Sequence, residues 1–212
     1  MTRGCFIALE GGEGAGKSTQ ARLLADAMIS RGTDVVLTRE PGGTPGAEAI
    51  RELLLHPPGE GWKAEAEALL FAAARSDHVA RLIRPALDAG KWVICDRFVD
   101  SSRAYQGGAG GIGDEAVKTL HKIGSGGLTP DITILLTVDP AAVTRRLKVR
   151  DGDRSDAIGG RSIAYHAAVA ETFGRIAAEN PDAFAIIDGS ASPDEVHARI
   201  LSVIEPLIER SQ

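Results

Sequence analysis

Two kinds of apolar pattern alternate along this chain. Short, mostly apolar runs stand at residues 5–9, 34–38, 92–95, 131–138 and 183–187. Runs of that length, closed by glycine or charged residues, predict strands buried on both faces. Between them lie longer stretches in which apolar residues recur every three or four positions, as helices require. The first carries Ala21, Leu23, Leu24, Ala27 and Met28, and Gly32 stops it. In the second, Thr44 is a predicted cap and Pro45 the first helical position. It runs through Ile50, Leu53 and Leu54 to a break at 56–59. A longer pattern spans 64–89, with Pro85 expected to kink or divide it. Residues 101–106 read as a short helical turn before a glycine-rich loop at 107–113. Further helices are predicted at 117–123, from Pro140 onward, at 163–178 and at 193–209. Strands alternating with helical stretches along the whole chain predict an α/β fold with a parallel sheet of about five strands. Ligands should then sit at the carboxyl ends of the strands.

Composition narrows the partners. At 212 residues the chain is long enough for one domain with a substantial core. Apolar residues make up 43% and charged residues 25%, as in ordinary globular proteins. The net charge of −5 argues against a broad surface for DNA or RNA, though local arginines could still bind a small anion. No apolar stretch approaches the roughly 20 residues of a membrane helix. The first residues lead into a strand with no signal-peptide pattern, so a cytoplasmic setting is expected. Cys5 and Cys95 both lie in strand-like runs and read as buried thiols.

The candidate chemistry begins where the first strand ends. Gly11, Gly12, Glu13, Gly14, Ala15, Gly16, Lys17 and Ser18 match G-x-x-x-x-G-K-[ST] between a strand and a helix, the context that motif needs. A loop this poor in side chains lets successive backbone N–H groups converge on a polyphosphate. The helix that follows, with Thr19 in its first turn, adds a positive dipole end. Lys17 supplies a mobile charge for the transferred phosphoryl group, and Ser18 a hydroxyl for Mg²⁺.

Three further features point to phosphoryl transfer rather than a switch. Asp96 follows the third strand, where a carboxylate can face Ser18 across the metal, directly or through water. Beside it, Arg97 can grip an acceptor phosphate with two hydrogen bonds. Arg145, Arg146, Arg150, Arg154 and Arg161, with Lys148, form a basic stretch. Such a stretch can be a solvated face. Next to a phosphate loop it reads as a lid, about 146–161, that neutralises charge and excludes water. Phe71 and Arg75 are four apart and share a helix face, suited to stacking on a base and donating to it. Taken alone, Phe71 reads as a core residue rather than a stacking one. The guanine-reading N-K-x-D of GTPases is absent: the one asparagine, Asn180, precedes Pro181.

With these motifs in place the chain resembles bacterial thymidylate kinases over nearly its whole length. The resemblance is carried by Glu10 to Ser18, by Thr38-Arg-Glu-Pro-Gly-Gly, by Phe71 to Arg75, by Asp96-Arg97-Phe98 and above all by Ser101-Ser-Arg-Ala-Tyr-Gln-Gly. It implies the P-loop nucleoside monophosphate kinase fold, helices on both faces of the sheet, a single kinase domain and, typically, a homodimer. It implies transfer of the γ-phosphate of ATP to dTMP with Mg²⁺, on the route to dTTP for DNA synthesis. Phe71 would stack on thymine, and Arg75 would hydrogen-bond it, with Ser102 and Gln106 at its polar edge. Tyr105 would lie against the deoxyribose and Arg97 would hold the dTMP phosphate. Arg39 and Glu40 would line the acceptor site, and Glu13 would lie near the acceptor sugar and metal. Some members place a basic residue inside the phosphate loop. That position is Gly14 here, so the resemblance implies catalytic cations from the lid: Arg150 and Arg154 first, then Arg146. Residues 153–156 are similar to the family's lid motif, with Asp where Glu is commoner. Another nucleoside or nucleoside monophosphate kinase of the same fold is the nearest alternative, and a nucleotide-dependent switch a more distant one.

Overall fold

The structure is a computed structural model and describes residues 3–139, 143, 146 and 157–209. Five strands form one parallel sheet in the order β2-β3-β1-β4-β5. They are β1 (Phe6–Gly11), β2 (Val35–Arg39), β3 (Trp92–Asp96), β4 (Ile132–Thr137) and β5 (Phe184–Asp188). Each lies within a residue or two of its expected position. β1 is buried along its whole length, because it pairs with β3 on one side and β4 on the other. The chain leaves β1 towards β2 and later crosses to β4, so the loop after β1 sits at the switch point where open α/β sheets bind ligands.

Successive residues of a strand face opposite ways, and both faces of this sheet are covered. Ile7 and Leu9 point to one side, with Ile94, Ile134 and Leu136. There they meet Leu24 and Met28 of α1 (Lys17–Ile29) and Ile200 and Ile204 of α8 (Pro193–Glu209). Phe6 and Ala8 point to the other side, with Val93, Cys95, Phe98, Ile83 and Leu87. Leu135 packs there against Val169 and Phe173 of α7 (Ile163–Glu179). Fully burying such a side chain is worth roughly 1.5–3 kcal/mol. Cys5 and Cys95 are both free thiols.

The helices before the third strand follow their sequence signals. α2 (Pro45–Leu55) is capped by Thr44, whose Oγ1 accepts from Ala47 N at 3.3 Å. α3 (Ala64–His78) widens into a π-turn at Val79–Ile83 before α4 (Arg84–Asp88). Pro85 explains the widening: it has no N–H to give, and its ring would strike the carbonyl four residues back.

One expectation needs correction. Residues 101–106 are no isolated turn, and 107–113 is not all loop. α5 (Val99–Ser102) runs on as a π-helical segment, Arg103–Ala109, before α6 (Asp114–Ser125). Gly108 stays helical because α7 crosses it closely. A Cβ there would lie 2.3 Å from Thr172 Oγ1, so the glycine permits the packing rather than breaking the helix. Arg103 holds this segment in place, pairing with Asp100 at 2.8 Å and Asp114 at 2.7 Å. The helix expected from Pro140 and most of the segment expected as a lid lie outside the described residues.

Candidate active site

A cleft of about 690 Å³ opens above the carboxyl ends of β1, β2 and β3. The phosphate loop forms one end of it. α1 starts at Lys17 after Gly16, with no side chain capping it and no acidic residue in its first turn. Its free N–H groups and positive dipole end therefore face the cleft as an anion site. Glu13, Gly14, Gly16, Lys17, Ser18 and Thr19 line this end, while Gly11 and Ala15 are buried behind it. Lys17 Nζ donates to Gly12 O at 2.7 Å. Burial, and then the nearby Arg97 charge, lowers the Lys17 pKa to about 8, against the pull of Glu13, Asp96 and Glu10. A bound polyphosphate would oppose both effects by placing negative charge beside the ammonium.

Ser18 and Asp96 face each other at the loop's base. Ser18 Oγ donates to Asp96 Oδ2. Asp96 Oδ1 is buried and has no hydrogen-bond partner among the described residues. A buried, unsatisfied carboxylate oxygen beside a hydroxyl fits a hard cation that prefers oxygen ligands. Two protein oxygens also suit Mg²⁺, which keeps most of its shell for water and phosphate.

Arg97 stands at the centre of the cleft in a left-handed conformation, φ 71°. Its Nη1 donates to Gly11 O and Ser101 Oγ, both at 3.1 Å. Its Nη2 donates to Glu13 Oε1 at 2.5 Å, and the guanidinium lies 5.1 Å from the centre of the Tyr105 ring. Burial opposes the Arg97 charge. Tyr105, Glu13, Asp96 and Glu10 outweigh that and keep its pKa above the ordinary value. The turn that aims Arg97 is held from below by Glu10. Glu10 Oε1 accepts from Phe98 N at 2.8 Å and Ser101 N at 3.0 Å, and Oε2 accepts from Ser101 Oγ at 2.5 Å. Burial, with Asp100 nearby, pushes the Glu10 pKa up to about 7 despite those bonds and the Arg97 charge.

The far wall is built on α3. Phe71 lines the cleft, and Arg75 lies beside it one turn on. Arg75 Nε donates to Glu40 Oε2 at 2.7 Å, and Nη2 donates to Ser102 Oγ at 2.8 Å. Glu40 Oε1 pairs with His78 Nδ1 at 3.0 Å, and His78 Nε2 with Thr38 Oγ1 at 2.8 Å. Both Glu40 oxygens are thus occupied, so Glu40 serves the wall by fixing Arg75. Gly43 completes the arrangement with φ 88°: a Cβ would come within 2.6 Å of both Thr38 Oγ1 and His78 Nε2. Arg39 sits at the rim and pairs with Glu48 at 3.0 Å. Tyr105 and Gln106 close the wall, with the Gln106 amide donating to Glu67 Oε1 at 2.8 Å.

Of the expected lid cations, Arg145, Lys148, Arg150 and Arg154 lie outside the described residues. Arg146 reaches the cleft beside the phosphate loop, donating to Gly189 O at 2.8 Å and Gly14 O at 3.5 Å. Arg161, counted in the same basic stretch, faces the α3 wall instead and pairs with Glu67.

Four residues that shape the site were given no role by the sequence reading. Glu10 carried a signal, being a charged residue closing a buried strand. Glu67 stands four before Phe71 and eight before Arg75, so helical spacing alone puts it on their face. Arg51 lines the cleft from α2 and donates to Pro41 O at 2.7 Å. His78 had no local signal, because its partners lie 38 and 40 residues away.

Comparison with known proteins agrees with this geometry. The thymidylate kinase family model matches residues 9–200. A thymidylate kinase of Rhizorhabdus wittichii is 56% identical over 205 residues, covering 97% of this chain and 99% of that protein. One from Rhodopseudomonas palustris is 47% identical, covering 96% of this chain and 92% of that protein. The crystal structure of a thymidylate kinase from Ehrlichia chaffeensis superposes with a TM-score of 0.78 at 33% identity, covering 96% of this chain and 99% of that one. A family model over residues 9–200 and near full-length similarity to such kinases lead to one conclusion: the chain belongs to the thymidylate kinase family.

Proposed function

We propose that this chain transfers the γ-phosphate of ATP to dTMP, giving ADP and dTDP. One observation carries the reading. A single cleft has an uncapped phosphate loop at one end, Phe71, Arg75 and Gln106 at the other, and Arg97 between them. Its volume suits two nucleotides meeting end to end through their phosphates.

The backbone N–H groups of residues 11–19 bind the donor phosphates, with Gly11, Gly12, Gly14, Ala15 and Gly16 giving them room. Lys17 swings from the Gly12 carbonyl to the transferring phosphoryl group. Arg97 holds the acceptor phosphate, with Glu13 steering its guanidinium. The acceptor phosphate has a second pKa near 6, so its attacking oxygen is already an anion at pH 7. What remains for the protein is alignment and charge neutralisation. Ser18 and Asp96 would hold Mg²⁺, which when bound neutralises charge on the donor's phosphate oxygens. Phe71 stacks on the base, Arg75 donates to its carbonyl, Ser102 supports Arg75, and Tyr105 packs against the sugar. Arg39 and Arg51 edge the acceptor end.

The same reading takes residues 1–212 as one kinase domain with a lid at about 146–161. Arg146 is the described lid cation beside Gly14, and it supports the arrangement in which the lid supplies catalytic charge. Arg150 and Arg154 join it in this proposal. We also infer a homodimer through α3 and α6. Leu69 on α3 and Ile123 on α6 are both exposed, and the two helices are joined by Ser76 Oγ donating to Gly124 O at 2.6 Å. No described helix is long and apolar enough to cross a membrane. A cytoplasmic setting goes with substrates that are water-soluble nucleotides.

The test is product identity. Incubation with ATP, dTMP and Mg²⁺ should yield dTDP and ADP in equal amounts by ion-exchange chromatography. ADP without dTDP would refute the transfer.

A further inference from the structure

We propose that Glu67 is the positioning residue that sets the polarity of Gln106, and through it the choice of a base with an N–H at its reading edge. The inference rests on the dTMP reading above and deepens it. Glu67 is buried, yet its carboxylate meets two partners from distant parts of the chain. Oε1 accepts from Gln106 Nε2 at 2.8 Å, and Oε2 accepts from Arg161 Nη2. Arg161 is itself fixed: its Nη1 donates to Tyr165 Oη at 2.5 Å, and its guanidinium lies 4.6 Å from the Tyr165 ring centre. Tyr165 in turn donates to Tyr105 O at 2.8 Å. Glu67 is thus clamped by a cation on one oxygen and turned towards Gln106 with the other.

The consequence follows from donor and acceptor chemistry. An ionised carboxylate only accepts hydrogen bonds, so the Gln106 group facing it must be the amide NH₂. The polar atom left for a ligand is the carbonyl Oε1, which only accepts. Arg75, on the same wall, only donates. Together they present a donor and an acceptor. A thymine edge offers a carbonyl at C4 and an N–H at N3, which complements that pair. A cytosine edge offers an NH₂ at C4 and a bare nitrogen at N3, which opposes it at both positions. A flipped Gln106 amide would turn NH₂ towards the ligand and favour the bare nitrogen. Glu67 forbids that flip.

The discriminating variant is Glu67→Gln, which keeps the shape and offers either an acceptor or a donor to Gln106. The readout is the ratio of kcat/KM for dTMP to that for dCMP. It should fall about tenfold or more, the effect of one misdirected buried hydrogen bond, while kcat with saturating dTMP stays within about threefold of wild type. A second variant, Gln106→Met, removes the reader. In that background Glu67→Gln should change the ratio by less than about twofold, because a positioning residue has nothing left to position. Arg161→Ala, more exposed and gentler on folding, should raise the KM for dTMP and lower the ratio in the same direction. An unchanged ratio in Glu67→Gln, or an equal fall with and without Gln106, would overturn the proposal. A wild-type enzyme that used dCMP as well as dTMP would instead overturn the acceptor reading beneath it.

Discussion

Glu40→Gln is a sharp test of how the acceptor wall is held. Glu40 and Arg75 form an ion pair at 2.7 Å with side chains 4% and 3% exposed, and the second Glu40 oxygen takes His78. The amide has nearly the same shape, so no cavity opens. It cannot serve both partners as an acceptor, and the Arg75 charge loses its nearest anion. Removing one partner of a buried pair costs about 3–5 kcal/mol. Asp100 also interacts with Arg75, and glutamine retains one of the two bonds, so the low end applies. A loss of about 3 kcal/mol lowers Tm by roughly 6–12 °C in a chain of this size. Arg75, no longer aimed, should raise the KM for dTMP about tenfold with little change in KM for ATP. Calorimetry and steady-state kinetics read the two effects. A Tm within about 2 °C of wild type, with an unchanged KM for dTMP, would refute the claim that Glu40 fixes Arg75.

Three other outcomes follow from the site. Arg97→Ala should lower kcat/KM for dTMP by a factor of about 100 or more, since it removes charge-assisted bonds to the acceptor phosphate; an equal rise in KM for ATP would move Arg97 to the donor side. Asp96→Asn should raise the Mg²⁺ concentration for half-maximal activity at least about tenfold, and an unchanged requirement would remove Asp96 from the metal site. For Glu10, the folded pKa of about 7 lies above the ordinary 4.5, so its contribution is whole below about 4.5 and lost as pH rises through 7. Wild type should therefore lose stability relative to Glu10→Gln between pH 5 and 8, by an amount on the order of 3 kcal/mol. A pH-independent difference in urea midpoints would contradict a buried, proton-holding Glu10.

The fold was legible because its signals are local. Each strand is a short apolar run, and each first-turn proline or capping threonine lies next to the helix it starts. The phosphate loop was legible for the same reason, since eight consecutive residues carry it. The supports of the site were harder to see. Glu40 could be placed near the acceptor, but its pairing with Arg75 and His78 joins residues 35 and 38 positions apart. Arg161 read as one more lid cation until its partner, Glu67, came from 94 residues away. Residues 107–109 misled for a tertiary reason. Their glycines suit a loop by propensity, but α7 packs across Gly108 and the backbone stays helical.

The central claim is that this cleft accepts thymidylate. The measurement that reaches it most directly is a coupled ADP-release assay comparing kcat/KM for dTMP, dUMP, dCMP, dGMP and AMP with saturating ATP and Mg²⁺. The account predicts the highest value for dTMP and negligible ADP release without an acceptor. A clearly higher value for another monophosphate, or ATP turnover indifferent to dTMP, would contradict it.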